Sequence, residues 1–116
     1  MMKRPIWSTW AYFKKSIDSQ NILKFAKDIN ANNFSNSQLE IDDKWQTFYG
    51  DFTFEKIKFV NISKLIKELN SIGFRTTLWM HPFAEFFSSN YRIQSNNKYA
   101  VCDKESKNFH SYFHRH

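Results

Sequence analysis

Two adjacent carboxylates, Asp42 and Asp43, follow the run Gln38-Leu39-Glu40-Ile41, and Trp79, His81 and Pro82 close a second run that begins at Arg75. Trp7 and Trp10 belong to a third, Pro5 to Trp10. Carboxylates accept hydrogen bonds from hydroxyl groups, and indole rings stack on the apolar faces of pyranoses. Residues of these types gathered at one mouth would hold a sugar. A plainer reading stands beside it, in which Asp42 and Asp43 cap their loop or pair with Lys44 and the tryptophans only pack.

Other chemistries find weaker support. His110, His114 and His116 are of a type that binds transition metals, but no fourth ligand accompanies them, so no metal site and no cofactor is expected. Cys102 and His110 lack the orienting third group that a nucleophile pair needs. With a single cysteine, Cys102, no internal disulfide can form.

The elements that would position the candidates alternate between strand-like and helix-like patterns, the order of parallel βαβ units. Strands are expected at Pro5 to Trp10, Gln38 to Asp42 and Arg75 to Met80. In the second, Leu39 and Ile41 fall on one side and Glu40 and Asp42 on the other. Between the first two strands, Ile22, Phe25, Ala26 and Ile29 mark one helix face, with Asp18 or Ser19 as cap. Between the second and third, Ile62, Leu65, Ile66 and Leu69 mark another, with Asn61 as cap and Gly73 where a left-handed residue ends a helix. The connection Asp43 to Val60 holds Trp45, Phe48, Tyr49, Phe52, Phe54 and Phe59 around Gly50, too aromatic for an idle linker. Pro82 must end the third strand, because it has no N–H to donate. Strand starts recur at roughly 35 residues, as βαβ units require. Ser88 to Asn97 is expected to form a short helix, and Lys98 to Phe113 reads as irregular or as a hairpin insertion.

Aromatic residues make up 19% of the chain, so the rings must be buried or face a ligand, and most are expected to pack. The net charge of +6 raises the question of nucleic acid, but the lysines are interspersed with Asp and Glu as on solvated helix faces, and no nucleic-acid partner is expected. No apolar run suits a signal peptide or a membrane segment. Asn33 and Asn61 begin glycosylation triplets of a kind that arise by chance in a chain rich in Asn and Ser.

The stretches Pro5 to Trp10, Leu39 to Trp45, Tyr49 to Phe54 and Thr77 to Phe83 together resemble glycoside hydrolase family 31, most of all its myogenesis-regulating glycosidase branch. The resemblance runs in order from about Arg4 to Phe83. Beyond it, Ala84-Glu85-Phe86-Phe87 departs from the usual continuation, and Asn108 to His116 has no counterpart. The resemblance implies an α/β fold, a partial (β/α)8 TIM barrel consisting of the first three βα units. It divides the chain into 1–83, three strands and two helices of that barrel, and 84–116, an irregular stretch that is the start of the following βα region or an insertion.

It also implies a retaining α-glycosidase acting on O-glycosyl bonds. In that family an Asp on the fourth strand attacks the anomeric carbon and a second, after the sixth, serves as acid and base, with carboxyls about 5 Å apart. Neither strand falls within the chain, so no catalytic residue is assigned and the fragment is expected to be inactive alone. By motif position, Asp42 resembles the Asp that hydrogen-bonds hydroxyls of the sugar being cleaved, with Asp43 beside it. Trp7 and Trp10 resemble first-strand aromatics of that pocket, and Trp79 and His81 third-strand residues at its rim. His81 stands where many family α-glucosidases carry Asp, which fits the myogenesis-type branch. The expected partners are an α-glycoside and the remainder of the barrel. If the protein follows its family, it resides in the secretory pathway or a lumen, with a targeting segment outside this chain. The rival readings are a non-catalytic carbohydrate-binding or regulatory relic of the same family and a small basic nucleic-acid binder.

Overall fold

The computed structural model describes residues 5–34, 37–97 and 99. They fall into two compact units: the residues through Trp45 with Phe54–Met80 form one, and Gln46–Thr53 with the residues from His81 onward form the other.

The first unit is a parallel sheet of three strands in the order β1 (Ile6–Ser8), β2 (Gln38–Ile41), β3 (Arg75–Leu78). Trp7 pairs with Leu39 and Leu39 with Thr76, while Ser8 pairs with Glu40 and Glu40 with Thr77. Because side chains alternate along a strand, this register sorts them into two faces. One face carries Trp7, Leu39, Ile41 and Leu78 and is covered by helices. The other carries Ile6, Ser8, Gln38, Glu40, Arg75 and Thr77 and is polar apart from Ile6. On it, Arg75 Nη2 donates to Gln38 Oε1 at 2.8 Å and Gln38 Nε2 donates to Thr77 Oγ1 at 3.2 Å.

The covering helices are α2 (Ser19–Ala31) and α3 (Ile62–Ser71). Asp18 caps α2 by accepting the Asn21 N–H at 2.8 Å, and Asn61 caps α3 by accepting the Lys64 N–H at 2.9 Å. Ile22, Ala26 and Ile29 from α2 and Leu65 and Leu69 from α3 are buried with Leu39, Ile41, Phe59 and Phe74 in one core. Both helices end by the same device. Phe74 N–H returns to Leu69 O and Gly73 N–H to Asn70 O; Phe34 N–H returns to Ile29 O and Asn33 N–H to Asn30 O. The residue between helix and exit must then turn left-handed: Gly73 has φ +95° and Asn33 has φ 58°.

The expected first strand is shortened. Thr9 donates its N–H to Glu40 O, and its own carbonyl accepts the Phe13 N–H at 2.9 Å. The chain therefore leaves the sheet at Thr9 and makes a single turn, α1 (Trp10–Phe13), so Trp10 is helical and not a strand residue. The third strand stops at Leu78, although Trp79 N–H still reaches Ile41 O at 2.9 Å. The aromatic connection is in part structural. Trp45 and Phe59 are buried, Phe54 lies between them at 4.9 and 5.3 Å, and Trp45 Nε1 donates to Trp79 O at 2.8 Å.

In the second unit, Gln46 Oε1 accepts the N–H groups of Gly50 and Phe52, closing the loop on itself. Glu85 N–H donates to Tyr49 O at 2.8 Å, and Asn90 Nδ2 donates to Gly50 O at 2.6 Å. A short helix, α4 (Ser89–Asn96), forms where the sequence predicts it, capped by the buried Ser88. Asp51 accepts the Asn90 N–H at 3.1 Å, placing a carboxylate at the positive end of α4. A Cβ on Gly50 would lie 2.8 Å from Ala84 Cβ and 2.9 Å from Ala84 Cα, too close for either to remain in place.

Gly73→Ala and Gly50→Ala should therefore behave differently. The first adds only the left-handed penalty, about 1 kcal/mol in chemical denaturation. The second should also open the second unit to limited proteolysis within 46–53 and 81–97. Equal protease resistance in the two variants would contradict the close approach at Ala84.

Candidate functional site

The side chains of interest gather where β2 ends. Asp42, the first residue past the strand, is buried, as is Asp43. Asp42 Oδ2 accepts the Ser8 hydroxyl at 3.1 Å, Asp42 Oδ1 accepts the Asp43 N–H at 2.7 Å, and the Asp42 N–H donates to Thr9 Oγ1 at 2.9 Å. Ser8 and Thr9 thus tie the end of β1 to the end of β2, and Ser8 and the Asp43 N–H hold one oxygen each of the Asp42 carboxylate. Asp43 Oδ1 accepts the Lys44 N–H at 2.7 Å, an arrangement that lets Lys44 take φ 66°. Both carboxylates therefore do cap their loop, as the plainer reading of the sequence has it.

Trp79 is the first residue past β3, whose register ends with Leu78 opposite Ile41. Its backbone is held twice, by the N–H to Ile41 O and by the carbonyl to Trp45 Nε1. Trp10 lies on α1, and its N–H reaches Ser8 Oγ at 3.3 Å, one hydrogen bond from Asp42. Its ring is partly exposed, and Lys14 Nζ sits 5.0 Å from the ring centroid.

Trp7 requires a correction. It was expected at the same mouth as Asp42, but its pairing with Leu39 puts it on the helix-covered face. There its ring meets Phe25 of α2 edge-on at 6.4 Å and Phe34 at 5.7 Å. Burial against α2 decides its side, because a large apolar ring on β1 finds its partners only under the helices. His81 belongs to the second unit, where its ring lies 4.7 Å from Tyr49 and 5.7 Å from Phe83, and Nδ1 accepts the Phe83 N–H at 3.1 Å.

Three residues of this cluster were not singled out by motif: Ser8, Thr9 and Glu40. Alternation alone already placed Glu40 on the side of Asp42. Burial raises the pKa of the Glu40 carboxyl above the ordinary range, a hydrogen bond with Asp42 and the Asp42 charge raise it further, and a hydrogen bond with Ser8 opposes them.

A cavity of about 490 Å³ opens elsewhere, at the N-terminal ends of α2 and α3, lined among others by Asp18, Leu23, Ile57, Lys58 and Asn61. None of the candidate residues lines it. Among the described residues no group of three or more His, Cys, Asp or Glu side chains could hold a metal ion, and no helix is long and apolar enough to cross a membrane. Cys102, His110, His114 and His116 lie outside the described residues.

Residues 5–115 match the family model described as the glycosyl hydrolases family 31 TIM-barrel domain. The chain belongs to glycosyl hydrolase family 31. The match runs through the segment beyond Phe83, where the motif resemblance had stopped. The chain is 46% identical over 87 residues to the myogenesis-regulating glycosidase of Mus musculus, covering 75% of itself and 12% of that relative's length. Its fold is similar to an α-galactosidase from Thermus thermophilus in complex with p-nitrophenyl α-D-galactopyranoside, with TM-score 0.74 and 25% identity over 90% of this chain and 22% of that one. It is similar in fold also to a family 31 α-xylosidase from a soil metagenome complexed with xylose, with TM-score 0.77 and 17% identity over 87% of this chain and 14% of that one. The three parallel strands and their helices fit βα units of the family 31 TIM-barrel domain.

The raised Glu40 pKa has a testable sign. In the folded protein Glu40 keeps its proton to a higher pH than in the unfolded chain, so stability falls as pH rises from the ordinary carboxylate range through the raised value. Glu40→Gln, which cannot ionise, should be more stable than the parent above that window, and the gain should vanish below it. Denaturation curves across the acid range check this; a gain that persists undiminished at the acid end would contradict it.

Proposed function

We propose that this segment supplies the first three βα units of a retaining α-glycosidase barrel, and that the end of β2 is part of the pocket for the sugar being cleaved. The observation that carries the reading is the fixed, buried carboxylate of Asp42 at the C-terminal end of β2, with Trp79 just past the end of β3 and its N–H on Ile41 O. In TIM-barrel enzymes that end of the sheet is where ligands bind. A carboxylate whose two oxygens are already oriented by Ser8 and by the Asp43 N–H keeps further lone pairs for sugar hydroxyls, and an indole beside it offers an apolar face. Trp10, one hydrogen bond away through Ser8, fits the pocket edge. Asp43 serves mainly to hold the loop. Trp7 has a structural part, wedging β1 against α2. The place of His81 in this reading rests on its motif position alone.

On this reading the nucleophile and the acid/base are carboxylates from outside these three units, set about 5 Å apart across the scissile bond. The 116 residues by themselves would then turn nothing over, since a covalent mechanism without its nucleophile loses nearly all of its acceleration. α-Galactosides and α-xylosides, the ligand classes of the fold neighbours, are the first substrates to try.

The test uses the longest natural protein carrying this sequence, assayed with p-nitrophenyl α-galactoside, α-xyloside and α-glucoside. Hydrolysis with retained anomeric configuration is expected for at least one. Asp42→Asn should lower kcat/KM roughly 10- to 100-fold, the worth of one charged hydrogen bond to a sugar hydroxyl. Inversion at the anomeric carbon, or an Asp42→Asn protein as active as the parent, would overturn the proposal. Saturable sugar binding without turnover in that same protein would favour the non-catalytic relic.

A further inference from the structure

The triplet Asn61-Ile62-Ser63 is an acceptor sequence for N-linked glycosylation that the sugar-cleaving reading leaves unused. Such triplets arise by chance. What makes one compatible with a folded protein is geometry: the asparagine must be exposed, and its amide nitrogen must not be needed as a donor. Asn61 meets both conditions. Its Oδ1 accepts the Lys64 N–H at 2.9 Å, which fixes the orientation of the amide, because only the oxygen can accept. Nδ2 donates to no group among the described residues, and Asn61 and Ser63 are both exposed.

The cap of α3 therefore survives the modification. A sugar bonded to Nδ2 leaves Oδ1 in place, so helix and glycan make no competing demand on the side chain. Room is present as well. Asn61 lines the cavity of about 490 Å³ at the N-terminal ends of α2 and α3, together with Ile57 and Val60, which are 88% and 87% exposed. A sugar ring seated there would set an apolar face on those two side chains and turn its hydroxyls to water. The triplet at Asn33 is placed differently: Asn33 forms the left-handed exit of α2 with φ 58°, its middle residue Phe34 packs on Trp7 at 5.7 Å, and Ser35 lies outside the described residues.

We propose that Asn61 is a glycosylation site: in a secretory compartment its Nδ2 receives the oligosaccharide of a lipid diphosphate-linked donor. The bond from Nδ2 to C1 of the first sugar forms, the C1–O bond to the diphosphate breaks, the lipid diphosphate leaves and Nδ2 gives up one proton. None of the residues around Asp42 takes part, so the proposal stands or falls apart from the sugar-cleaving reading.

In the test, the longest natural protein carrying this sequence is expressed in eukaryotic cells, and the peptide containing Asn61 is followed by mass spectrometry before and after an amidase that releases N-glycans and leaves aspartate. In the parent this peptide should carry a glycan and acquire aspartate at that position on treatment. Ser63→Ala should abolish the glycan with Asn61 still present. Asn61→Asp, which keeps a capping oxygen, should lose the glycan and still fold, so that the loss does not reflect a lost helix. An Asn61 peptide found only unmodified in the folded parent, a glycan on Asn33 alone, or a glycan at Asn61 that persists in Ser63→Ala would each overturn the proposal.

Discussion

The alternation of side chains along β2 is the constraint on which the rest depends. Leu39 and Ile41 must go under α2 and α3 because no other apolar surface is available to them, and that choice forces Glu40 and Asp42 to the opposite face. A slip of one residue would bury two carboxylates under the helices and expose two aliphatic side chains. The register is therefore set by the core, and the polar cluster at the strand end is a consequence of it.

Once β2 is fixed, its neighbours follow. Thr9 and Ser8 pin the end of β1 to Asp42, which is also why the chain turns into α1 at that point. The Trp79 N–H to Ile41 O bond does the corresponding work on β3, and Trp45 braces it from the connection by donating to the Trp79 carbonyl. The rigidity of the Asp42 carboxylate thus comes from three backbone segments that meet at one strand end, each held by hydrogen bonds of ordinary length. A preorganised acceptor of this kind costs little to present to a ligand, because its orientation is settled before the ligand arrives.

Much of this was legible in the sequence. The stripes on α2 and α3, the caps at Asp18 and Asn61, the left-handed exit at Gly73 and the two faces of β2 are local signals, and the structure follows them. The face of Trp7 was not legible. In β1 both Ile6 and Trp7 are apolar, so alternation has no preferred phase there, and only the pairing with Leu39 and the rings of Phe25 and Phe34 decide it. Trp10 was misplaced for a related reason, since its helical turn is imposed by Thr9, whose N–H is committed to β2. Nor does any spacing rule announce that Gly50 must lie against Ala84, or that Ser8 donates to Asp42. Those are contacts between residues far apart in the chain, and they exist only once the register is set.

The most direct test of the account is a crystal structure of the natural protein carrying this segment with a non-hydrolysed α-glycoside bound. The account predicts Asp42 oxygens at hydrogen-bonding distance, about 2.6–3.0 Å, from hydroxyls of the sugar, with Ser8 still donating to the same carboxylate and Trp7 beneath α2. A sugar bound away from the end of β2, or an Asp42 whose carboxylate points into the helix-covered face, would contradict it.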